Sequence, residues 1–178
     1  MPLLILDRDG VLNARVEPCV GHPADWHALP GAIEALARLN HAGWRVVLAC
    51  HEPAVTRGQL NLEDLHRVHN AMLAQIHDGG GNLEALFVHT GDDPSHPWSL
   101  PNPGLFVAIE RRLHVPVAGM IAAGASSAFI EAAQAAGVNT VLIAPEAEAA
   151  EDSGEACFSS LAAAVAHWLA PTTQEIQA

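Results

Sequence analysis

Leu3-Leu4-Ile5-Leu6-Asp7-Arg8-Asp9-Gly10-Val11-Leu12-Asn13 is a run of four apolar residues that passes straight into a charged, glycine-containing turn. A short apolar run bounded by turn residues reads as a buried strand. Asp7 and Asp9 stand two residues apart at its end, so both carboxylates can face one crevice. There, one carboxylate can attack an electrophilic phosphorus while the other gives a proton to the leaving oxygen. A hard cation such as Mg²⁺ takes carboxylate and backbone oxygens at the same spot. The plainer reading is an Asp-Gly turn that stops a strand. Strand alternation predicts that Arg8 points along the turn, away from the two carboxylates.

Outward from this stretch, short strands alternate with helices. Helical spacing over Gly31–Asn40 predicts a helix stopped by Gly43, and Trp44–Cys50 reads as a second strand. Leu62–Ile76 is a long amphipathic helix ended by three glycines, and Leu83–His89 a third strand. Pro103–Leu113 starts a helix at a proline and ends it in Arg111 and Arg112, as the helix dipole favours. Strand Ala118–Gly124, helix Ser126–Ala136, strand Asn139–Ala144 and helix Leu161–Leu169 follow. The alternation specifies an α/β protein: a parallel sheet with helices on both faces and ligands at the carboxyl ends of its strands. Asp7, Cys50, His89 and Gly124 are expected around one crevice. Residues 1–170 are expected to form a single domain and 171–178 a C-terminal tail. The acidic stretch Pro145–Ala156 reads as a solvated loop.

Composition narrows the chemistry. The chain has 178 residues, net charge −12, and eight basic side chains, all of them arginine; it has no lysine and no tyrosine. Schiff-base lysines, a P-loop lysine and a lysine general base are excluded. An acidic chain without basic clusters makes a poor nucleic-acid or anionic-membrane binder. Cys19, Cys50 and Cys157 are too few and too far apart for a disulfide framework. No signal-peptide pattern or membrane-length apolar segment is evident, so a cytoplasmic location is expected. Trp26, Trp44 and Trp168 flank apolar runs and are expected in packing.

The pattern Asp7-x-Asp9-Gly10-x-x-Asn13 resembles the first motif of haloacid-dehalogenase-type phosphatases. Ala54-Val55-Thr56-Arg57-Gly58, Pro101-Asn102-Pro103-Gly104 and the segment from Gly124 to Val138 extend the resemblance over nearly the whole chain. It is specifically similar to the small capless branch that includes heptose bisphosphate and histidinol phosphatases. The resemblance implies a Rossmann-like sheet with a central first strand and no large cap domain. It implies Asp7 as the nucleophile that forms an aspartyl-phosphate, Asp9 as general acid/base, and Mg²⁺ held by Asp7 and Asp9. It also places Asn13, Cys50, Arg57 and Ser99 around the substrate.

Departures from the pattern cluster at the expected phosphate and metal contacts. The second motif reads Cys50-His51-Glu52, so a thiol replaces the phosphate-binding hydroxyl, a much weaker donor. Glu52 is expected to add negative charge near an incoming dianion. Leu100 stands where the phosphate-neutralising lysine is expected, and Ser99 where a substrate-binding arginine is expected. Ala125 and Phe129 replace the fourth motif's two acids, leaving Mg²⁺ weakly held. The branch's zinc loop is reduced to His89 and His96, so zinc is not expected. Phosphoryl transfer depends on charge neutralisation around the phosphate oxygens. The reading is therefore a phosphatase-like protein with impaired or absent catalysis that retains a crevice for a phosphorylated small molecule or a protein partner. One alternative is an active Mg²⁺-dependent hydrolase of a sugar phosphate or histidinol phosphate acting through Asp7. The other is a structural or interaction role.

Overall fold

In the computed structural model, which describes residues 1–145 and 156–170, Leu3–Leu6 forms strand β1 with all four side chains buried. Burial on both faces accounts for its unbroken apolar run: Leu4 and Leu6 enter one core cluster, Leu3 and Ile5 the other. Arg45–His51 (β2) alternates in the same way, with Val46, Leu48 and Cys50 on the first face and Val47 and Ala49 on the second. Ala85–His89 (β3), Ile121–Gly124 (β4), Asn139–Ile143 (β5) and Ala156–Phe158 (β6) complete one parallel sheet. Its order is β3-β2-β1-β4-β5-β6. The chain moves from β1 out through β2 to β3, then crosses back to pair β4 with the other side of β1. That reversal opens a crevice beyond the carboxyl end of β1.

Five helices cover the sheet. Ala32–His41 (α1), Leu62–Asp78 (α2) and Leu161–Trp168 (α5) bury their apolar stripes against the Leu4/Leu6 face. Gly104–Leu113 (α3) and Ser127–Ala135 (α4) cover the Leu3/Ile5 face. Asn61, Ser126 and Ser160 cap α2, α4 and α5, each accepting a backbone N–H in the first turn. Trp26 is buried, and Trp44 stacks on Trp168 with centroids 5.7 Å apart, which ties the entry of β2 to the end of α5. No cap domain is present among the described residues, and none of their helices is long and apolar enough to cross a membrane.

The sequence-predicted elements all form, with ends displaced by a few residues. The largest displacement is at β4, which starts at Ile121 rather than Ala118 because Gly119, at φ +83°, turns the chain first. β6 has no counterpart in the sequence pattern; three residues are too few for a period to show. The acidic loop expected over Pro145–Ala156 falls mostly on 146–155, outside the described residues, as does the expected tail 171–178.

Gly124 ends β4 against Phe129 and leaves room for its ring. A Cβ on Gly124 would stand 2.3 Å from the ring, which is itself 1 % exposed and set edge-on to Phe106 at 5.3 Å. Gly124→Ala is expected to lower unfolding free energy by about 1–3 kcal/mol, the usual penalty for overpacking. Urea denaturation checks this. A variant as stable as the parent would show that the ring moves freely.

Candidate active site

The turn after β1 is built around a buried cation. Arg8 is 2 % exposed. Its Nε and Nη2 donate to the two oxygens of Asp9 at 2.8 and 2.9 Å, and Nη2 also donates to Glu52 Oε2 at 2.8 Å. Nη1 lies 3.2 Å from His69 Nε2 on α2. Arg8 therefore does not point away from the carboxylates, as alternation predicts. The strand pattern ends at Leu6, and a buried guanidinium must fold back to the charges that pair it. Glu52, just past β2, is buried, lines the crevice and shares Arg8 with Asp9, so one guanidinium faces two carboxylates. His69 is held neutral: burial and the adjacent Arg8 charge push its pKa down to about 4.

Asp7 and Asp9 share the crevice but not the same electrostatics. Burial, reinforced by the Asp9 charge and opposed by the Arg8 backbone N–H at 2.8 Å, raises Asp7 from 3.8 to about 7. Burial also works to raise Asp9. The Arg8 hydrogen bonds and charge outweigh it, helped by Asn13 Nδ2 at 2.9 Å, and hold Asp9 below the ordinary carboxylate range. Of the two, Asp9 is the ionised member, and Asp7 is the one that takes up a proton first as pH falls through neutrality.

A cavity of about 390 Å³ opens above the pair, lined among others by Arg15, His51, Glu52, Arg57, Leu100 and Ser126. Several expected contacts lie elsewhere. Cys50 does not line it: alternation in β2 turns the thiol into the Leu4/Leu6 core, where burial pushes its pKa up. Ser99 is 1 % exposed, donates to the Asp93 carbonyl at 2.7 Å, and sits 3.1 Å from His89 Nε2, outside the cavity wall. Asn13 is fully buried and serves the turn, donating to Asp9 and to the Ala14 carbonyl. Arg57 lines the cavity but is gripped by both oxygens of Asp92, at 2.9 and 2.5 Å. Leu100 lines the wall and Ala125 lies against Gly10, where a Cβ on that glycine would stand 2.7 Å from the alanine's. Phe129 is core. Arg15 is a lining residue that sequence reasoning missed.

The donor set is short for Mg²⁺. Asp7 has one oxygen on the Arg8 N–H, both Asp9 oxygens are bonded to Arg8, and Ala125 offers no carboxylate beside them. His89 and His96 stack at 4.5 Å and His51 stacks on His89 at 5.2 Å, and one nitrogen of each ring serves a neighbour: His51 Nε2 the Gly91 carbonyl, His89 Nε2 Ser99, His96 Nδ1 the Trp98 N–H. Among the described residues, no group of three or more His, Cys, Asp or Glu is placed to hold a metal ion.

The sheet order, the two aspartates at the end of its interior strand and the crevice above them define a haloacid-dehalogenase-like phosphatase fold. No protein-family model matches the sequence. The chain is 39% identical over 138 residues to a D-glycero-beta-D-manno-heptose-1,7-bisphosphate 7-phosphatase of Bordetella bronchiseptica, covering 77% of each protein. It is 33% identical over 144 residues to that of Pseudomonas putida, covering 80% of this chain and 82% of the relative. Its fold superposes on the B. bronchiseptica D,D-heptose 1,7-bisphosphate phosphatase complexed with magnesium and phosphate (TM-score 0.86, 34% identity, 95% and 98% of the two chains). It also superposes on the Burkholderia thailandensis enzyme (TM-score 0.71, 29% identity, 96% and 100%). The chain belongs to the D-glycero-D-manno-heptose-1,7-bisphosphate 7-phosphatase family.

The raised Asp7 gives a signed pH dependence. The fold binds its proton more tightly than the unfolded chain, so its stabilising contribution is full below about pH 4 and lost as pH rises through 7. Asp7→Asn does not titrate. In metal-free buffer, the stability of Asp7→Asn minus that of the parent should grow between pH 4 and 8 by on the order of 1–3 kcal/mol, allowing for the part of the carboxyl that meets the crevice. Urea titrations at each pH read it; a constant difference would mean that Asp7 is not desolvated.

Proposed function

We propose that the protein binds a phosphorylated sugar in the Asp7 crevice and hydrolyses it at least ~10³-fold more slowly than the B. bronchiseptica relative, since losing one electrostatic donor typically costs about 10²–10³. One observation carries this reading: Leu100 lines the crevice and Ala125 backs it, so position 100 offers no ammonium and position 125 no carboxylate to the surroundings of Asp7. Relatedness to a heptose bisphosphate phosphatase supplies the ligand class. Several losses in one site need not add, but none relieves another.

The aspartate pair supports the same reading. Ester cleavage needs an ionised Asp7 to attack phosphorus and a proton on Asp9 for the departing ester oxygen. The resting charges fall short of this, since Arg8 keeps Asp9 ionised and burial leaves Asp7, at about 7, divided between its two forms near neutrality. Mg²⁺ would be held by Asp7 and Asp9, where it would supply charge neutralisation and favour an ionised Asp7. With two carboxylates in place of three, that support is weak.

A second reading, an active Mg²⁺-dependent phosphomonoester hydrolase, is favoured by the intact Asp7/Asp9 pair in one crevice. Hydrolysis of heptose bisphosphate, other sugar phosphates, histidinol phosphate and a generic phosphomonoester, run beside the relative with Asp7→Asn as control, separates the two. The expected result is residual turnover that rises tenfold or more in the Leu100→Lys/Ala125→Asp double variant. Turnover within tenfold of the relative and abolished by Asp7→Asn would establish the second reading instead. Absence of any thermal stabilisation by sugar phosphates would remove the ligand reading.

A further inference from the structure

A phosphoryl group brought to Asp7 needs a cation, and the chain has no lysine to supply one. Four of its eight arginines are ion-paired among the described residues: Arg8 with Asp9 and Glu52, Arg45 with Glu84, Arg57 with Asp92, and Arg67 with Glu63 and Asp64. Of the remaining four, Arg38, Arg111 and Arg112 do not line the crevice. Arg15 does, it is exposed, and it has no ion pair among the described residues.

The backbone leading to Arg15 is held in place. Asn13, fully buried, is bridged to Asp9 and to Ala28, and the Ala14 N–H donates to the His27 carbonyl at 3.1 Å. The backbone before Arg15 is thereby pinned. The guanidinium returns over the first turn, with Nη2 3.8 Å from the point where a Cβ on Gly10 would stand. Gly10 has none, and its φ of +83° is one that side-chain-bearing residues rarely adopt, so the turn passes close beneath Arg15 with Ala125 on its other side. The positive charge is near enough to lower the pKa of both Asp7 and Asp9.

We propose that Arg15 is the anion anchor of the crevice, binding the phosphoryl oxygens of the ligand from the loop after β1, the side of the site opposite in sequence to the Leu100 position. A guanidinium suits this role because its planar fork donates two parallel N–H groups to phosphate oxygens, where an ammonium offers a point charge. Arg57 is the weaker contact, because an anion must compete with Asp92 for it. This assignment rests on the reading that the crevice binds a phosphate ester.

Calorimetric titration with inorganic phosphate, with and without Mg²⁺, tests it on the parent and on Arg15→Gln, Arg15→Lys, Arg57→Gln and Arg111→Gln, after melting curves confirm that each is folded. Arg15→Gln should weaken phosphate binding on the order of 10- to 100-fold, the loss expected for a charge-assisted hydrogen-bond pair. Arg15→Lys should recover part of it, Arg57→Gln should lose less than Arg15→Gln, and Arg111→Gln, outside the crevice, should match the parent. If the parent binds phosphate and Arg15→Gln binds equally well, or if Arg57→Gln loses as much, the assignment is overturned while the ligand reading stands. If the parent binds none in either condition, the ligand reading falls and the assignment with it.

Discussion

A guanidinium sealed beneath the end of β1 sets the geometry of this site. Removing one partner from a buried charge typically costs about 3–5 kcal/mol, so Arg8 holds its carboxylates firmly. Its contact with Asp9 shapes the turn, its contact with Glu52 joins that turn to the end of β2, and His69 brings in α2 as a neutral neighbour. Asp7, one residue earlier, inherits a fixed backbone but no cation of its own. The difference between the two aspartates follows: one is salt-bridged, the other is desolvated and depends on whatever enters the crevice.

The elements are legible in the sequence because each carries its own period. Two-faced burial makes β1 and β2 continuous apolar runs, and α1 and α2 show helical spacing and glycine stops. The aspartates are legible as a pair because a strand end followed by Asp-x-Asp-Gly constrains them locally. Arg8 is not, because strand alternation does not extend into a turn. Glu52 reads as a bare charge because its partner lies 44 residues away in sequence. Cys50 does carry a signal: it shares parity with Val46 and Leu48, so its thiol has to enter their core. Arg15 has no such clue, since its return over Gly10 depends on bridges from Asp9 to Asn13 and from Asn13 to Ala28 that only the folded loop makes.

The departures from the family's pattern gather near three strand ends, with Cys50 alone inside a strand, where it pairs with Val88. Cys50 and Glu52 lie at the end of β2, Ser99 and Leu100 between β3 and α3, and Ala125 and Phe129 after β4. Strand interiors answer to packing, while the connections above them answer to chemistry, so one can change without the other. Superposition on the magnesium- and phosphate-bound relative at a TM-score of 0.86 shows how little the framework needed to move.

The ring of Phe129 couples the crevice to the core. Ala125 lies against Gly10 beside the crevice, whereas Phe129 occupies the space left by the missing side chain of Gly124 and leans on Phe106. An aspartate at position 129 alone would open a void against the glycine and set a carboxylate in apolar surroundings. Position 129 therefore belongs to the core first: a charge cannot be installed there without rebuilding the packing of Gly124 and Phe106 with it.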